Sequence, residues 1–238
     1  MRFSFSSGSF PTYSLPAIFE IGHEAGADAI EVMLSPRMVK NGPTRLRFLE
    51  DQFRLPIASL HSVMRLRETS PEQLKEDVLE SARLARKLEH CQCLVVHLPG
   101  AGTQVPGMAS WWLDAVNSAV EILASSGTSI SIENPDPPAD GERPDERLSL
   151  MRWRFVAKEF GLHATFDTSH AAASGWDLLE YAAEPDPELD NVHLSDVGGE
   201  PFASGVLNSL MHQHRPPGRG NLEIERFLAR LPRQTTTD

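Results

Sequence analysis

Five residues of types that commonly bind metal ions recur at nearly regular intervals along the chain. Each one ends or directly follows a short apolar run, and the five are His61, His97, Glu133, Asp167 and His193. Neighbours in this series are 36, 36, 34 and 26 residues apart, which is close to the length of one strand–helix unit. Imidazole and carboxylate groups together suit Zn²⁺, Mn²⁺ or Co²⁺ better than Mg²⁺ alone. The residue types and their spacing therefore predict a site for a divalent metal ion.

More histidines follow the later members of the series. His170 comes three residues after Asp167, and His212 and His214 lie in a long polar segment beyond His193. A single histidine or carboxylate at such a position more often makes a structural hydrogen bond or caps a helix. Five successive apolar runs that each end in such a residue are difficult to explain in that way. His212 and His214 fit a structural role and a metal-binding role equally well.

Short apolar runs alternate with helical patterns and provide the elements that must position these residues. The runs predict seven strands, over residues 2–6, 29–34, 57–60, 94–97, 129–132, 163–166 and 191–194. Helical periodicity predicts helices over residues 71–89, 108–125, 148–160 and 221–231, with Pro71 and Asn221 as first-turn or cap residues. Such alternation implies parallel strands joined by right-handed crossovers, an α/β fold of the (β/α)8 TIM-barrel type. The strand ends of such a barrel meet at one face, where active sites lie.

The segment after the last predicted helix lacks the pattern of a strand. Residues 232–238 are few and polar, so we predict a barrel without the eighth strand at its C-terminus. Either the barrel is open or the chain ends before its closing strand. No linker separates two parts of the sequence, which predicts a single domain over residues 1–238, incomplete at its C-terminal end. An open barrel exposes two strand edges, and this predicts self-association into a homo-oligomer.

Six short motifs follow one another in a specific order along nearly the whole chain. They lie at residues 26–31 (GADAIE), 132–134 (IEN), 167–171 (DTSHA), 175–178 (GWDL), 193–196 (HLSD) and 218–221 (GRGN). In order and spacing they resemble the xylose isomerase-like barrels. This superfamily includes the sugar phosphate isomerases and epimerases and the endonuclease IV proteins, also known as AP endonuclease family 2.

The resemblance implies a metal centre, in one of two forms. In the sugar isomerases and epimerases, Glu, Asp, His and Glu from the last four strands hold one divalent ion. The first three match Glu133, Asp167 and His193. The fourth belongs on the eighth strand and has no counterpart in this chain.

The second form is the three-zinc cluster of the endonuclease IV proteins, which uses further histidines. The residues of this chain that match such positions are His61, His97, His170 and His214. His212 stands where that family has Asp, and Arg219 stands where it usually has Glu. We include His212 with the other histidines among the predicted metal ligands.

These observations favour a divalent-metal-dependent isomerase or epimerase that acts on a sugar or sugar phosphate through an enediolate. The cofactor would be Mn, Co, Mg or Zn, and Glu133 would be both a ligand and the catalytic residue that moves protons beside the carbonyl. One alternative is an endonuclease IV-like zinc phosphoesterase that acts on a phosphodiester. Another is a non-catalytic or inactive barrel, because the eighth-strand Glu is missing.

Four further residues are candidates for substrate binding. Arg215 and Arg219 precede the last predicted helix and are suited to bind a phosphate, although two solvated loop arginines would look the same. Glu31 ends the second strand and either lines the pocket or is a buried structural carboxylate. Trp176 either walls a sugar pocket or packs in the core. Asp196, just past His193, either orients that histidine or caps the following loop.

Composition narrows the range of partners. Lys and Arg number 22 and Asp and Glu number 33, so the formal charge is 22 − 33 = −11. This makes nucleic acid an unlikely partner, because nucleic-acid binders need a basic footprint. The sequence has neither an apolar stretch long enough to span a membrane nor a signal peptide, and its two cysteines build no disulfide framework. We therefore predict a cytoplasmic protein with no membrane partner and a small-molecule substrate.

Overall fold

The computed structural model describes residues 2–65, 70–98, 110–135, 146–186, 188–199 and 214–232. They form two compact units. The N-terminal unit comprises residues 2–96 and 106–130, and the C-terminal unit comprises residues 97–105 and 131–238. The single domain over residues 1–238 stays a prediction.

The N-terminal unit alternates parallel strands with helices. Its strands are β1 (Ser4–Ser6), β2 (Ala29–Met33), β3 (Ile57–His61) and most of β4 (Cys93–His97), which pair in parallel in chain order. A 3-10 turn (Ser7–Ser9) precedes helices α1 (Leu15–Glu24), α2 (Pro36–Asn41), α3 (Thr44–Phe53), α4 (Pro71–Ala85) and α5 (Ser110–Leu123). The side chains of Ser14, Ser35 and Ser70 each accept a backbone N–H of the first turn of α1, α2 and α4. A proline in the first turn of each of these helices favours the same starting point.

The C-terminal unit continues the pattern. It contains most of β5 (Ser129–Glu133), then α6 (Glu146–Glu159), β6 (His163–Asp167), α7 (Thr168–Ala173), α8 (Leu178–Ala183), β7 (Leu189–His193) and α9 (Ile224–Arg230). β6 pairs in parallel with both β5 and β7. Consequently β5, β6 and β7 end on the same side of their sheet, and each ends in a carboxylate or imidazole residue.

An aromatic cluster forms much of the core behind these strand ends. Phe166 of β6 stacks on Tyr181, with ring centroids 3.7 Å apart, and on Phe227 at 5.6 Å. Trp153 and Trp176 close the cluster, with centroids 6.0 Å apart. Large buried rings on three helices therefore hold β6 in place, and the end of β6 carries Asp167.

The seven predicted strands and their parallel pairing are confirmed, and the ends of the elements differ by a few residues. No eighth strand follows β7 within the described residues, which agrees with the prediction. The α4 helix ends at Ala85 rather than at residue 89, because the next residues form tighter turns in which Lys87 and Leu88 donate to Leu84 and Ala85. Leu88 is nevertheless buried, so the apolar pattern of the sequence continues beyond the end of the helix.

The predicted capping role of Asn221 is wrong. Helix α9 begins at Ile224, and its N-cap is Glu223. The Asn221 side chain donates instead to the carbonyl oxygen of Gly198, and its backbone N–H donates to Val197. This residue therefore ties two loops together. Among the described helices, none is long and apolar enough to cross a membrane.

Candidate metal centre

Glu133, the last residue of β5, is the centre of a group of histidines. Its side chain is only 3% exposed. Nε2 of His97, at the end of β4, lies 2.9 Å from Oε2 of Glu133. Nδ1 of His193, at the end of β7, lies 2.8 Å from Oε1. Each oxygen of this buried carboxylate thus faces an imidazole from another strand end.

Asp167, the last residue of β6, uses its two carboxylate oxygens differently. Oδ1 caps α7 by accepting the backbone N–H groups of Ser169 and His170 at 2.7 and 2.9 Å. Oδ2 lies 3.8 Å from Nδ1 of His193 and 3.6 Å from Nε2 of His214. The helix cap fixes the carboxylate rotation, and its second oxygen is thereby directed toward the histidines.

Two groups of potential metal donors share Asp167. The donor atoms of Glu133, Asp167 and His193 all lie within 4.8 Å of one another, and so do those of Asp167, His170 and His214. Mixed carboxylate and imidazole donors fit a divalent ion such as Zn²⁺, Mn²⁺ or Co²⁺. Because the two carboxylates are almost completely buried, a bound cation would offset the cost of holding them there.

His170 lies between the other groups. Its Nδ1 is 3.0 Å from the backbone carbonyl oxygen of Asn134 and 3.6 Å from Oε1 of Glu133. Its ring packs edge-to-face against His97 and His214, with centroids 6.4 and 5.4 Å away. Four of the predicted histidine ligands of the C-terminal unit are therefore close together.

The loop that carries His214 is anchored by Asp196. This carboxylate is fully buried and accepts the backbone N–H groups of Val197, Gly218, Gly220 and Leu222 at 2.9–3.0 Å. The backbones of Asp196 and Arg215 also form a two-bond antiparallel bridge. Of the two interpretations of Asp196, the structure supports the loop cap.

The remaining predicted site residues differ in burial and in the partners that they contact. His61 and Glu31 are buried in the N-terminal unit, where His61 Nδ1 contacts the Ser62 carbonyl oxygen and Glu31 accepts from Ser59 Oγ at 2.8 Å. Trp176 is 7% exposed and packs in the aromatic cluster, which favours its core alternative.

The two arginines lie in the loop that Asp196 anchors. Arg219 is exposed and Arg215 is half-buried. Neither arginine precedes a helix as closely as we expected, because α9 begins only at residue 224. His212 lies outside the described residues.

Asn134, a buried polar residue that supports the centre, was assigned no role from the sequence, and the loop cap was only one of two interpretations of Asp196. Asn134 bonds to the backbone of Asp167, and Asp196 fixes the loop of His214. The only signal available was their position one to three residues after a predicted ligand. That signal does not tell a supporting residue from an ordinary loop residue.

Acidification is expected to remove part of the stability of the metal-free protein through Asp167. Burial raises the pKa of this carboxyl, but the positive charges of His170 and His214 outweigh it and lower the pKa to about 2 from its ordinary 3.8. Because the folded-state pKa is the lower one, the stabilisation is complete above the ordinary pKa and is lost as the pH falls through about 2. The loss amounts to roughly 2 kcal/mol of unfolding free energy.

Chemical denaturation between about pH 5 and pH 2.5 would measure this loss. The wild-type protein should lose more stability across this range than Asp167→Asn, which keeps the cap acceptor but has no charge. Equal pH dependence of the two proteins would contradict the prediction.

Comparison with known proteins establishes the family. Residues 19–236 match the family described as Xylose isomerase-like TIM barrel. The chain belongs to this family. The predicted α/β TIM-barrel class and the resemblance inferred from the motifs are thereby confirmed.

The chain also resembles individual proteins over most of its length. Uncharacterized protein Rv0498 of Mycobacterium tuberculosis is 28% identical, over 92% of this chain and 80% of that protein. The solved structure of a D-tagatose 3-epimerase-like protein has a TM-score of 0.67 at 22% identity, covering 97% of this chain and 85% of that one. The IOLI protein with a bound zinc atom has a TM-score of 0.72 at 14% identity, covering 97% and 84%. At these identities the two structures show a shared fold.

Proposed function

We propose that this protein is a divalent-metal-dependent isomerase or epimerase that acts on a sugar or sugar phosphate. One observation carries the proposal: buried Glu133 and Asp167 and half-buried His193 place donor atoms within 4.8 Å of one another. Similarity to an epimerase-like protein and to a zinc-containing protein of the same fold supports this chemistry.

Glu133, Asp167 and His193 would hold the ion. A bound divalent ion polarises neighbouring carbonyl and hydroxyl oxygens and so makes the hydrogen on the carbon beside them more acidic. Asp167 has one oxygen committed to the cap of α7, so its other oxygen is held in a fixed direction. Glu133 and Asp167 supply two negative charges from a buried environment, which favours the capture of a dication.

Glu133 is the residue of this chain suited to move the proton. His97 and His193 contact its two oxygens and keep the carboxylate oriented. The His97 side chain is 35% exposed, whereas the Glu133 side chain is buried. A base that takes a proton from one carbon and returns it to the neighbouring carbon on the same face interconverts an aldose and a ketose when the hydroxyl proton also passes to the former carbonyl oxygen. Such a transfer needs only one carboxylate.

A zinc phosphoesterase is the second candidate, and the second donor group favours it. Asp167, His170 and His214 can hold another ion beside the first, with Asp167 shared between the two. Adjacent metal ions of this kind are typical of enzymes that hydrolyse phosphoesters. An inactive barrel is the third possibility, and the same experiment tests it.

Elemental analysis of protein purified without chelator, before and after incubation with Mn²⁺, Co²⁺, Mg²⁺ and Zn²⁺, is the decisive first step. We expect about one exchangeable ion per chain. Sugars and sugar phosphates incubated with the loaded protein in D2O should then gain deuterium at the carbon beside the carbonyl, as read by NMR. Two or three tightly bound zinc ions together with hydrolysis of bis(p-nitrophenyl) phosphate would favour the phosphoesterase. Absence of metal and of both activities would favour the inactive barrel.

Two aspartate variants provide a matched control. Asp167 and Asp177 both cap short helices, and in each case Oδ1 accepts two backbone N–H groups. Only Asp167 belongs to a donor group among the described residues. Asp167→Asn should therefore lose the ion, while Asp177→Asn should retain it. Equal metal content in the two variants would contradict the assignment of Asp167.

A further inference from the structure

We infer that Asn134 is a positioning residue that sets the spacing between Glu133 and Asp167 and selects the tautomer of His170. The inference rests on the proposed function, because it explains how the donors of the proposed metal centre are held. Asn134 follows Glu133 directly and is completely buried.

The Asn134 side chain extends the pairing of β5 and β6 beyond the end of the sheet. The register of these strands runs to Glu133 opposite Thr165, and the Asn134 backbone N–H donates to the Thr165 carbonyl oxygen at 3.2 Å. Beyond this point the side-chain amide of Asn134 makes the hydrogen bonds that a backbone neighbour in β5 would otherwise make to β6. Its Oδ1 accepts the Asp167 N–H at 2.6 Å, and its Nδ2 donates to the Asp167 carbonyl oxygen at 3.1 Å.

This two-point contact fixes the backbone of one predicted ligand from the residue next to another. A side-chain amide carries one acceptor and two donors, and here both of its functional groups bond to a single residue. The positions of the Glu133 and Asp167 α-carbons are therefore coupled through Asn134. Displacements well below 1 Å matter for metal donors, because coordination distances tolerate only about 0.2 Å.

The backbone carbonyl of Asn134 acts on a third predicted ligand. Its oxygen lies 3.0 Å from His170 Nδ1. A carbonyl oxygen can only accept a hydrogen bond, so the neutral imidazole carries its proton on Nδ1 and its lone pair on Nε2. Asn134 thus orients His170 through the backbone while it clamps Asp167 through the side chain.

Asn134→Ala compared with Ser131→Ala tests the inference. Ser131 Oγ bonds to Thr165 Oγ1 at 2.6 Å, and both side chains are fully buried, so this variant removes another link between β5 and β6. The probe is Co²⁺ added to metal-free protein, with binding followed by its visible absorption. Histidine tautomers in the metal-free protein are read from ¹⁵N NMR spectra, and the free energy of unfolding is measured for each protein.

We expect Asn134→Ala to bind Co²⁺ about 10- to 100-fold more weakly than wild type. The carbonyl that faces His170 is still present in this variant but is no longer held by the side-chain bonds to Asp167, so we also expect a mixture of His170 tautomers. Ser131→Ala should lose stability but keep Co²⁺ affinity within about twofold and keep the Nδ1–H tautomer. Equal Co²⁺ affinity in Asn134→Ala and wild type, or an equal loss in both variants, would overturn the inference.

Two provisions keep the test independent of folding and of the proposed function. If Asn134→Ala does not fold, Asn134→Ser replaces the amide with a shorter, uncharged hydroxyl that cannot make both bonds to the Asp167 backbone, so the same losses are expected. If wild-type protein binds no Co²⁺, the proposed metal centre fails. The tautomer of His170 in the metal-free protein then still decides the role of Asn134, and an unchanged tautomer would refute it.

Discussion

Glu133→Gln is expected to lower the affinity for the divalent ion by at least about 100-fold and turnover by about 1,000-fold or more. The substitution keeps the size of the side chain and one carbonyl oxygen. It removes the negative charge and places an NH₂ group where one carboxylate oxygen faced His97 or His193. A neutral amide is a weak ligand for a hard dication and cannot accept a proton, so both roles proposed for Glu133 fail together.

Glu50→Gln is the matched control for this substitution. Glu50 is also a buried glutamate, and its Oε1 accepts the Ile57 N–H at 2.7 Å in the N-terminal unit. Burial raises the pKa of Glu50, so less free energy is needed to make this side chain neutral than is needed for an exposed glutamate. The amide introduced by this substitution keeps the acceptor, and metal content and turnover should be unchanged. Turnover that survives Glu133→Gln would exclude Glu133 as the proton-transfer residue.

Asp196→Ala is expected to reduce the free energy of unfolding by roughly 3–5 kcal/mol. The substitution leaves four backbone N–H groups without their acceptor in a region where Asp196 is fully buried. Asp196→Asn should be intermediate, because one oxygen remains while the NH₂ group faces two donors. Chemical denaturation measures the stability, and hydrogen exchange at Gly218, Gly220 and Leu222 shows whether the loop opens locally.

Gly220 shows how closely this loop approaches Asp196. A Cβ at residue 220 would overlap both the Val197 carbonyl oxygen and Asp196 Oδ1, so only glycine permits the contact. The backbone bridge to Arg215 places the neighbouring His214 beside Asp167. We therefore expect Asp196→Ala also to weaken the binding of a metal ion by Asp167, His170 and His214.

Asp177→Ala is the control for the loss of a capping aspartate. Asp177 accepts two backbone N–H groups at the exposed start of α8. Its removal should cost about 1 kcal/mol, because water replaces the lost acceptor. A cost for Asp196→Ala no greater than that of Asp177→Ala would show that the loop does not depend on the buried carboxylate.

The sequence alone determined which residues end the strands and therefore which types of side chain meet at that edge of the sheet. Local patterns place Glu133, Asp167 and His193 at the ends of consecutive strands. Parallel pairing then brings such ends together, because every strand of a β/α repeat runs in the same direction. For this reason the donor group of these three residues was predictable without coordinates.

The tertiary structure alone decided how those side chains are held. The clamp of Asn134 on Asp167 joins residues 33 positions apart, and the bonds of Asp196 to the 218–222 loop span 22 to 26 positions. It also decided that Trp176 packs in the core and that α9 begins at Ile224. Local propensity reports only on neighbouring residues. The choice of partner for a buried polar group depends on which distant backbone groups the folded chain brings within about 3 Å.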